Sequence, residues 1–258
     1  MSRIKNAFKN GKAFISFVTG GDPDLNTTKE LILAMEEAGA DLIEIGIPFS
    51  DPIAEGAVIQ EANERALTAG CTTDKLFDSI KEVREKVTVP LVFLTYINPI
   101  YTYGKARFFK RCVECGIDGI IVPDLPFEEK EELEEECKEY QVDLISLIAP
   151  TSKERVRMIA RQAEGFIYCV SSLGVTGVRT EIKTDIAAMI SMVREVTDTP
   201  CAIGFGISTP EQAKEFAGAA DGAIVGSAIV KLVTQYGKES IRPVAEYVKE
   251  MKAAVREA

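Results

Sequence analysis

The segment LIEIGIPFSDPIAEG, residues 42–56, carries Glu44 inside an apolar run and a second glutamate, Glu55, eleven positions later. Leu42, Ile43, Ile45 and Ile47 read as a buried parallel strand, and Glu44 sits among them. A carboxylate in apolar surroundings is costly to ionise, so its pKa rises into the range that suits proton transfer. The competing reading is a glutamate that turns to solvent or pairs with a lysine, the usual fate of this residue. Three glycine-rich spots complete the chemical inventory: Gly174-Val175-Thr176-Gly177, Gly204-Phe205-Gly206-Ile207-Ser208 and Gly226-Ser227. Glycine lets backbone N–H groups close around a phosphate, and a following helix N-terminus adds favourable partial charge. Taken singly, each spot is also readable as an ordinary tight turn.

Composition narrows the chemistry. The 258 residues include no histidine, which excludes Ser-His-Asp triads, histidine metal ligands and histidine bases. Acid–base work falls to Glu, Asp, Tyr, Lys or Cys. A net charge of −10 argues against nucleic acid or an anionic membrane as partner. A phosphorylated substrate must therefore be held by local backbone donors against the global field. The six cysteines have no framework spacing and suit reduced, buried thiols of a cytoplasmic protein. Cys112 and Cys115 form a CxxC, but it falls on a helical face with Phe108 and Phe109 and has no second pair, so no metal is expected. The N-terminus lacks a signal-peptide pattern, and no apolar run approaches the ~18 residues of a membrane span.

The elements that must position these groups alternate along the chain. Eight apolar runs read as strands covered on both faces: 14–18, 42–46, 91–95, 119–122, 144–148, 166–170, 201–204 and 223–226. Helical periodicity lies between them, as in Leu76, Ile80, Val83 and Val87, or Ile182, Ile186, Ile190 and Val193. Thr209-Pro210-Glu211-Gln212 predicts a capped helix start, and Gly39 and Gly116 predict helix ends. The acidic run 128–139 keeps Leu133 and Cys137 as its apolar residues and reads as the wet face of an outer helix. This pattern predicts an α/β fold: a single (β/α)8 TIM barrel over residues 1–258, with a short extra N-terminal helix. A doubly wound sheet is the alternative, but the turn after the first strand reads TGGDPD and not GxGxxG.

Two connections are long, 47–72 after strand 2 and 171–180 after strand 6, and both leave the strand ends where barrel active sites are built. The glycine spots end strands 6, 7 and 8, while Glu44, Asp51 and Glu55 lie across the barrel mouth. Phe17, Leu94, Tyr96, Ile121 and Tyr168 end neighbouring strands and imply an apolar, partly aromatic cavity; Tyr168 is equally readable as core. Such a cavity suits a planar hydrophobic group joined to a short phosphorylated chain.

These residues resemble the tryptophan synthase alpha chain family over essentially the whole sequence. The motifs are Phe17-Val18-Thr19 with Gly21-Asp22-Pro23, then Glu44 to Pro52 with Gly56 and Gln60, Asp124-Leu125-Pro126, and the three glycine spots extended by Ala228. The resemblance implies a lyase that cleaves indole-3-glycerol phosphate to indole and glyceraldehyde 3-phosphate in tryptophan biosynthesis. It implies Glu44 as the acid and base, and Glu55 as the carboxylate that meets the indole N–H. Gly177, Gly206, Gly226 and Ser227 would hold the phosphate; Phe17, Leu94, Tyr168 and Phe205 would line the indole pocket; Thr176 would position the loop carboxylate.

The family works with a beta chain as an alpha-beta heterotetramer, and pyridoxal phosphate belongs to that partner, so no cofactor is expected in this chain. Asp51, Asn98, Pro126 and the two long loops would form the docking face. Three positions depart from the pattern: Glu55 replaces the usual aspartate, adding one C–C bond of ~1.5 Å; Ala57 stands where proline is common; Ser172 stands in place of arginine. Two other readings remain open on the residues alone: a different sugar-phosphate barrel lyase or isomerase, and a regulatory chain that mainly activates its partner.

Overall fold

A computed structural model describes residues 3–170, 182–204 and 206–258. Parallel strands form at every expected place: β1 (Ala13–Thr19), β2 (Leu42–Gly46), β3 (Leu91–Leu94), β4 (Gly119–Ile121), β5 (Asp143–Leu144), β6 (Ser146–Ile148), β7 (Ile167–Val170), β8 (Cys201–Gly204) and β9 (Gly222–Val225). The ninth arises because the predicted fifth strand is two. β5 pairs with β4, β6 pairs with β7, and Ile145 joins them. The ladder thus runs β5-β4-β3-β2-β1-β9-β8-β7-β6, and the covalent chain at Ile145 closes the ring. Leu144 and Ser146, on the outward side of this strand, are only half-buried. Less apolar burial holds strand five in one register than holds its neighbours.

Inside the ring, each of the eight barrel positions contributes at least one residue to a single cluster, among them Ile15, Leu42, Val92, Ile121, Ile145, Phe166, Ala202 and Ile224. Burying each of the larger ones contributes about 1.5–3 kcal/mol. The expected extra N-terminal helix is a 3-10 turn, Ile4–Phe8, whose Ile4 and Ala7 join this cluster. Ile4 comes within 2.9 Å of where a Cβ on Gly119 would stand, so the turn plugs the N-terminal end of the barrel. Strand side chains alternate with period two. Moving two residues toward the C-terminal ends therefore gives the next inward layer, with Phe17, Glu44, Leu94, Tyr168, Gly204 and Gly226. That layer is the floor of the barrel mouth.

Helices cover the outside: α1 (Leu25–Glu37), α2 (Ala57–Thr68), α3 (Thr73–Arg84), α4 (Ile97–Tyr103), α5 (Lys105–Glu114), α6 (Glu131–Tyr140), α7 (Lys153–Arg161), α8 (Ile182–Arg194), α9 (Pro210–Ala219), α10 (Ser227–Tyr236) and α11 (Ile241–Arg256). The end signals hold. Thr209 and Gln212 form a reciprocal capping box at the start of α9, and Gly39 and Gly116 follow α1 and α5 with φ of 106° and 64°. α5 carries Cys112 on its buried face, and Cys115 is buried just after it.

α2 occupies much of the long connection 47–72 after strand 2. Its buried face is Ala62, Asn63 and Ala66, too small and too polar to announce a helix by apolar period. Among the described residues, no helix is long and apolar enough to cross a membrane. The layer between sheet and helices divides into two clusters. One gathers residues of α1 to α6 and α9 to α11, and the other those of α7 and α8. Between α6 and α7, over strand five, lies a cavity of about 260 Å³ lined by Leu125, Phe127, Leu144 and Ile159 among others.

Candidate active site

Glu44 is 1% exposed on β2 and pairs in register with Phe17 on β1 and Val92 on β3. Its Oε1 has no hydrogen-bond partner. Burial alone pushes the carboxyl up to about 8, so at neutral pH it holds a proton. The alternative of a solvated or lysine-paired glutamate does not apply. Burial also raises the Tyr168 phenol well above its ordinary range, and the charge of Glu44 adds to the effect. Tyr168 therefore faces Glu44 across the floor, as well as packing on Phe166 at 6.5 Å between ring centroids.

Gly204 makes room for that ring. A Cβ there would stand 2.5 Å from two Tyr168 ring carbons. Gly204→Ala is therefore expected to push the phenol out of place. It should lower kcat/KM by about 10²-fold, the size of effect that a small misplacement produces, and destabilise by about 1–3 kcal/mol. Steady-state kinetics beside thermal unfolding checks both.

Glu55 is half-buried on the loop between β2 and α2. Burial raises its carboxyl to about 7, and hydrogen bonds from Asn63 and Tyr96 pull it partly back. The Asn63 Nδ2 donates to Glu55 Oε2 at 2.7 Å, and Gln60 Nε2 donates to the Glu55 carbonyl at 2.7 Å. The Tyr96 hydroxyl accepts from Ala54 N–H at 3.1 Å, tying the loop to the end of β3. Tyr96, expected as a wall of the mouth, is thus also a partner of the carboxylate loop, and Asn63 joins the site without any mark in the motifs. The available signal was a polar residue centred in an alanine face.

Phe17 is buried and packs with Ala62, Val230, Val58, Ile59 and Leu94. Leu94 is half-buried between this group and the barrel interior. Across the mouth, Gly206 follows β8 with φ of 74° and open space where a side chain would be. Gly226 caps α10 with its own backbone, and Ser227 opens that helix, exposed. The structure thus brings Glu44, Glu55, Phe17, Leu94, Tyr168, Gly206, Gly226 and Ser227 to one end of the barrel. Thr176, Gly177, Phe205 and Ser172 lie outside the described residues. A second tie crosses the mouth: Arg65 on α2 grips Asp22 after β1 at 2.9 and 2.7 Å and reaches Thr234 on α10 at 2.8 Å. Among the described residues, no group of His, Cys, Asp and Glu side chains is placed to hold a metal ion.

Over residues 4–256 the sequence matches the family model described as tryptophan synthase alpha chain. The chain belongs to the tryptophan synthase alpha chain family. A tryptophan synthase alpha chain from Lacticaseibacillus casei is 45% identical over 255 residues, covering 99% of this chain and 96% of that one. The crystal structure of tryptophan synthase subunit alpha from Legionella pneumophila str. Paris superposes with a TM-score of 0.90 at 33% identity, covering 100% of each chain. A chain of the aminoacrylate-bound tryptophan synthase from M. tuberculosis gives a TM-score of 0.88 at 29% identity, covering 99% of this chain and 100% of that one. The TIM-barrel fold of this tryptophan synthase alpha chain relative is therefore the family's. It is a carbon–carbon lyase of tryptophan biosynthesis, and its reaction is cleavage of indole-3-glycerol phosphate. This removes the reading of a barrel acting on some other sugar phosphate.

Proposed function

We propose that Glu44 moves both protons of the cleavage while Glu55 stabilises the charged indole. The carrying observation is that Glu44 is buried, unpartnered and protonated at neutral pH beside the mouth. Its acid form donates a proton to indole C3, which turns the ring into a cation at nitrogen. The C–C bond to the side chain then breaks, and its electron pair returns to the ring and neutralises that nitrogen. The side-chain hydroxyl becomes the aldehyde, and its proton passes to the Glu44 carboxylate, which restores the acid. Glu55, ionised, accepts a hydrogen bond from the ring N–H, an interaction that strengthens as positive charge develops there.

Phe17, Leu94 and Tyr168, with Phe205, form the indole wall. Gly206, Gly226 and Ser227, with Gly177, hold the phosphate. The free N–H groups and dipole at the start of α10 favour an anion there, which offsets the chain's net charge of −10. Thr176 helps to position the loop carboxylate. The whole chain acts as one catalytic barrel, needs no cofactor of its own, and works in the cytoplasm with a beta chain that carries pyridoxal phosphate. Supporting that pairing, Asp51, Asn98 and Pro126 are exposed around the mouth, and Ile53 on the carboxylate loop is 78% exposed.

The mechanism requires Glu55 ionised and Glu44 protonated. kcat/KM for indole release, measured with a competent beta partner, should follow a narrow bell, with a rising limb near pH 7 from Glu55 and a falling limb near pH 8 from Glu44. A profile flat from about pH 6 to 9 would remove both carboxylates from these roles.

A further inference from the structure

We propose that Asn63 is the positioning residue for Glu55, a proposal that rests on the catalytic reading of Glu55 given above. Asn63 is 3% exposed on the inner face of α2. Its amide is used from three sides. Oδ1 accepts from the Phe49 N–H at 3.1 Å, and Nδ2 donates to the Ile59 carbonyl at 2.9 Å and to Glu55 Oε2 at 2.7 Å. Both amide hydrogens and one carbonyl lone pair are thus committed. A flipped amide would set NH2 against the Phe49 N–H and oxygen against two further oxygens. Nδ2 is therefore fixed as a donor aimed at the loop carboxylate.

The same side chain holds both limbs of the carboxylate loop. Phe49 begins it, Glu55 ends it, and between them Asp51 and Ile53 project into solvent. An exposed loop that must present a carboxylate at a defined point needs a rigid anchor at its base. Asn63 sits on a helix whose flanking Ala62 and Ala66 are fully buried. Besides Asn63, the group facing Glu55 among the described residues is Tyr96, with Asp124 behind it. Neither carries positive charge, so among them the Asn63 amide and the Tyr96 hydroxyl are the donors that favour the ionised form of Glu55.

The test uses the complex with its beta partner, indole-3-glycerol phosphate as substrate, and four variants: Asn63→Ala, Asn63→Asp, Glu55→Gln and the Asn63→Ala/Glu55→Gln double. Asn63→Ala should lower kcat about tenfold with KM within about twofold, and should move the rising pH limb upward by about one unit. Asn63→Asp keeps the volume of the side chain but loses the Nδ2 donor and sets a second carboxyl beside Glu55, and should move that limb further. In the Glu55→Gln background, Asn63→Ala should change kcat by less than about twofold, because residues acting through one group are not additive. An equal loss in both backgrounds, or an unmoved limb in both single Asn63 variants, overturns the proposal. The two readings fail separately. Glu55→Gln with wild-type turnover would sink the catalytic role of Glu55, whereas an inactive Glu55→Gln beside a normal Asn63→Ala would sink the positioning role alone.

Discussion

Glu44→Gln is expected to lower kcat for indole-3-glycerol phosphate cleavage by about 10³-fold, within the range of a lost general acid–base, and to leave the protein more stable than wild type at pH 8. Glutamine keeps the shape of the side chain but has no acidic proton to deliver. The stability gain follows from linkage. The carboxyl titrates near 4.5 in the unfolded chain and near 8 when folded, because burial disfavours its charge. Between those values the folded state binds one proton more than the unfolded state, so wild-type stability falls as pH rises through that window and levels off above it. Glutamine has no such dependence. The two proteins should unfold alike near pH 4.5 and diverge to a few kcal/mol at pH 8, on the order of 10 °C in Tm. Denaturation across a pH series, beside steady-state turnover, tests both halves. Turnover near wild type would remove Glu44 from the chemistry. Lost turnover with intact stimulation of the partner would separate catalysis from a purely regulatory role. Equal stability at pH 8 would mean that the carboxyl is solvated.

Arg65→Ala should be strongly destabilising. Asp22 is 1% exposed, and Arg65 meets it with two parallel hydrogen bonds. Removing the guanidinium leaves a buried carboxylate without its partner, which costs about 3–5 kcal/mol. Arg65→Lys does not restore the pair, because an ammonium cannot reproduce the two-pronged geometry. Asp22→Asn in the Arg65→Ala background removes the stranded charge and should recover most of the loss, so a double-mutant cycle reads the coupling directly. Activity should fall as well. Arg65 reaches Thr234, and so braces α10, whose N-terminus is proposed to hold phosphate, against α2, which carries Asn63. Substrate KM should therefore rise in Arg65→Ala even under conditions where the variant is folded. An unchanged KM would show the tie to be structural only.

Strands were the most legible part of the sequence, because burial on both faces leaves uninterrupted apolar runs such as Phe14 to Val18 and Leu42 to Gly46. Glu44 stood out against that background for the same reason. The break at Ile145 was invisible, since Leu144, Ser146 and Leu147 still read as one run and the partner strands on either side are set by ring closure. α2 was hidden because Ala62, Asn63 and Ala66 bury little apolar area. The Arg65–Asp22 tie joins residues 43 positions apart. Nothing local marks such a pair, and the same holds for Glu55 with Tyr96. The position of Glu55 was legible from spacing, whereas its anchoring depended on which way α2 turns its one polar inner residue.

The divided fifth strand gives the barrel a clasp. All eight junctions between neighbouring barrel positions are ladders of hydrogen bonds, and within strand five the pairing passes from β5 to β6 at Ile145, beside the cavity that parts α6 from α7. The unbroken arc from β4 through β1 to β7 carries Glu44, Phe17, Leu94, Tyr168 and the glycines after β8 and β9. The divided strand thus lies on the side of the ring away from these proposed chemical groups.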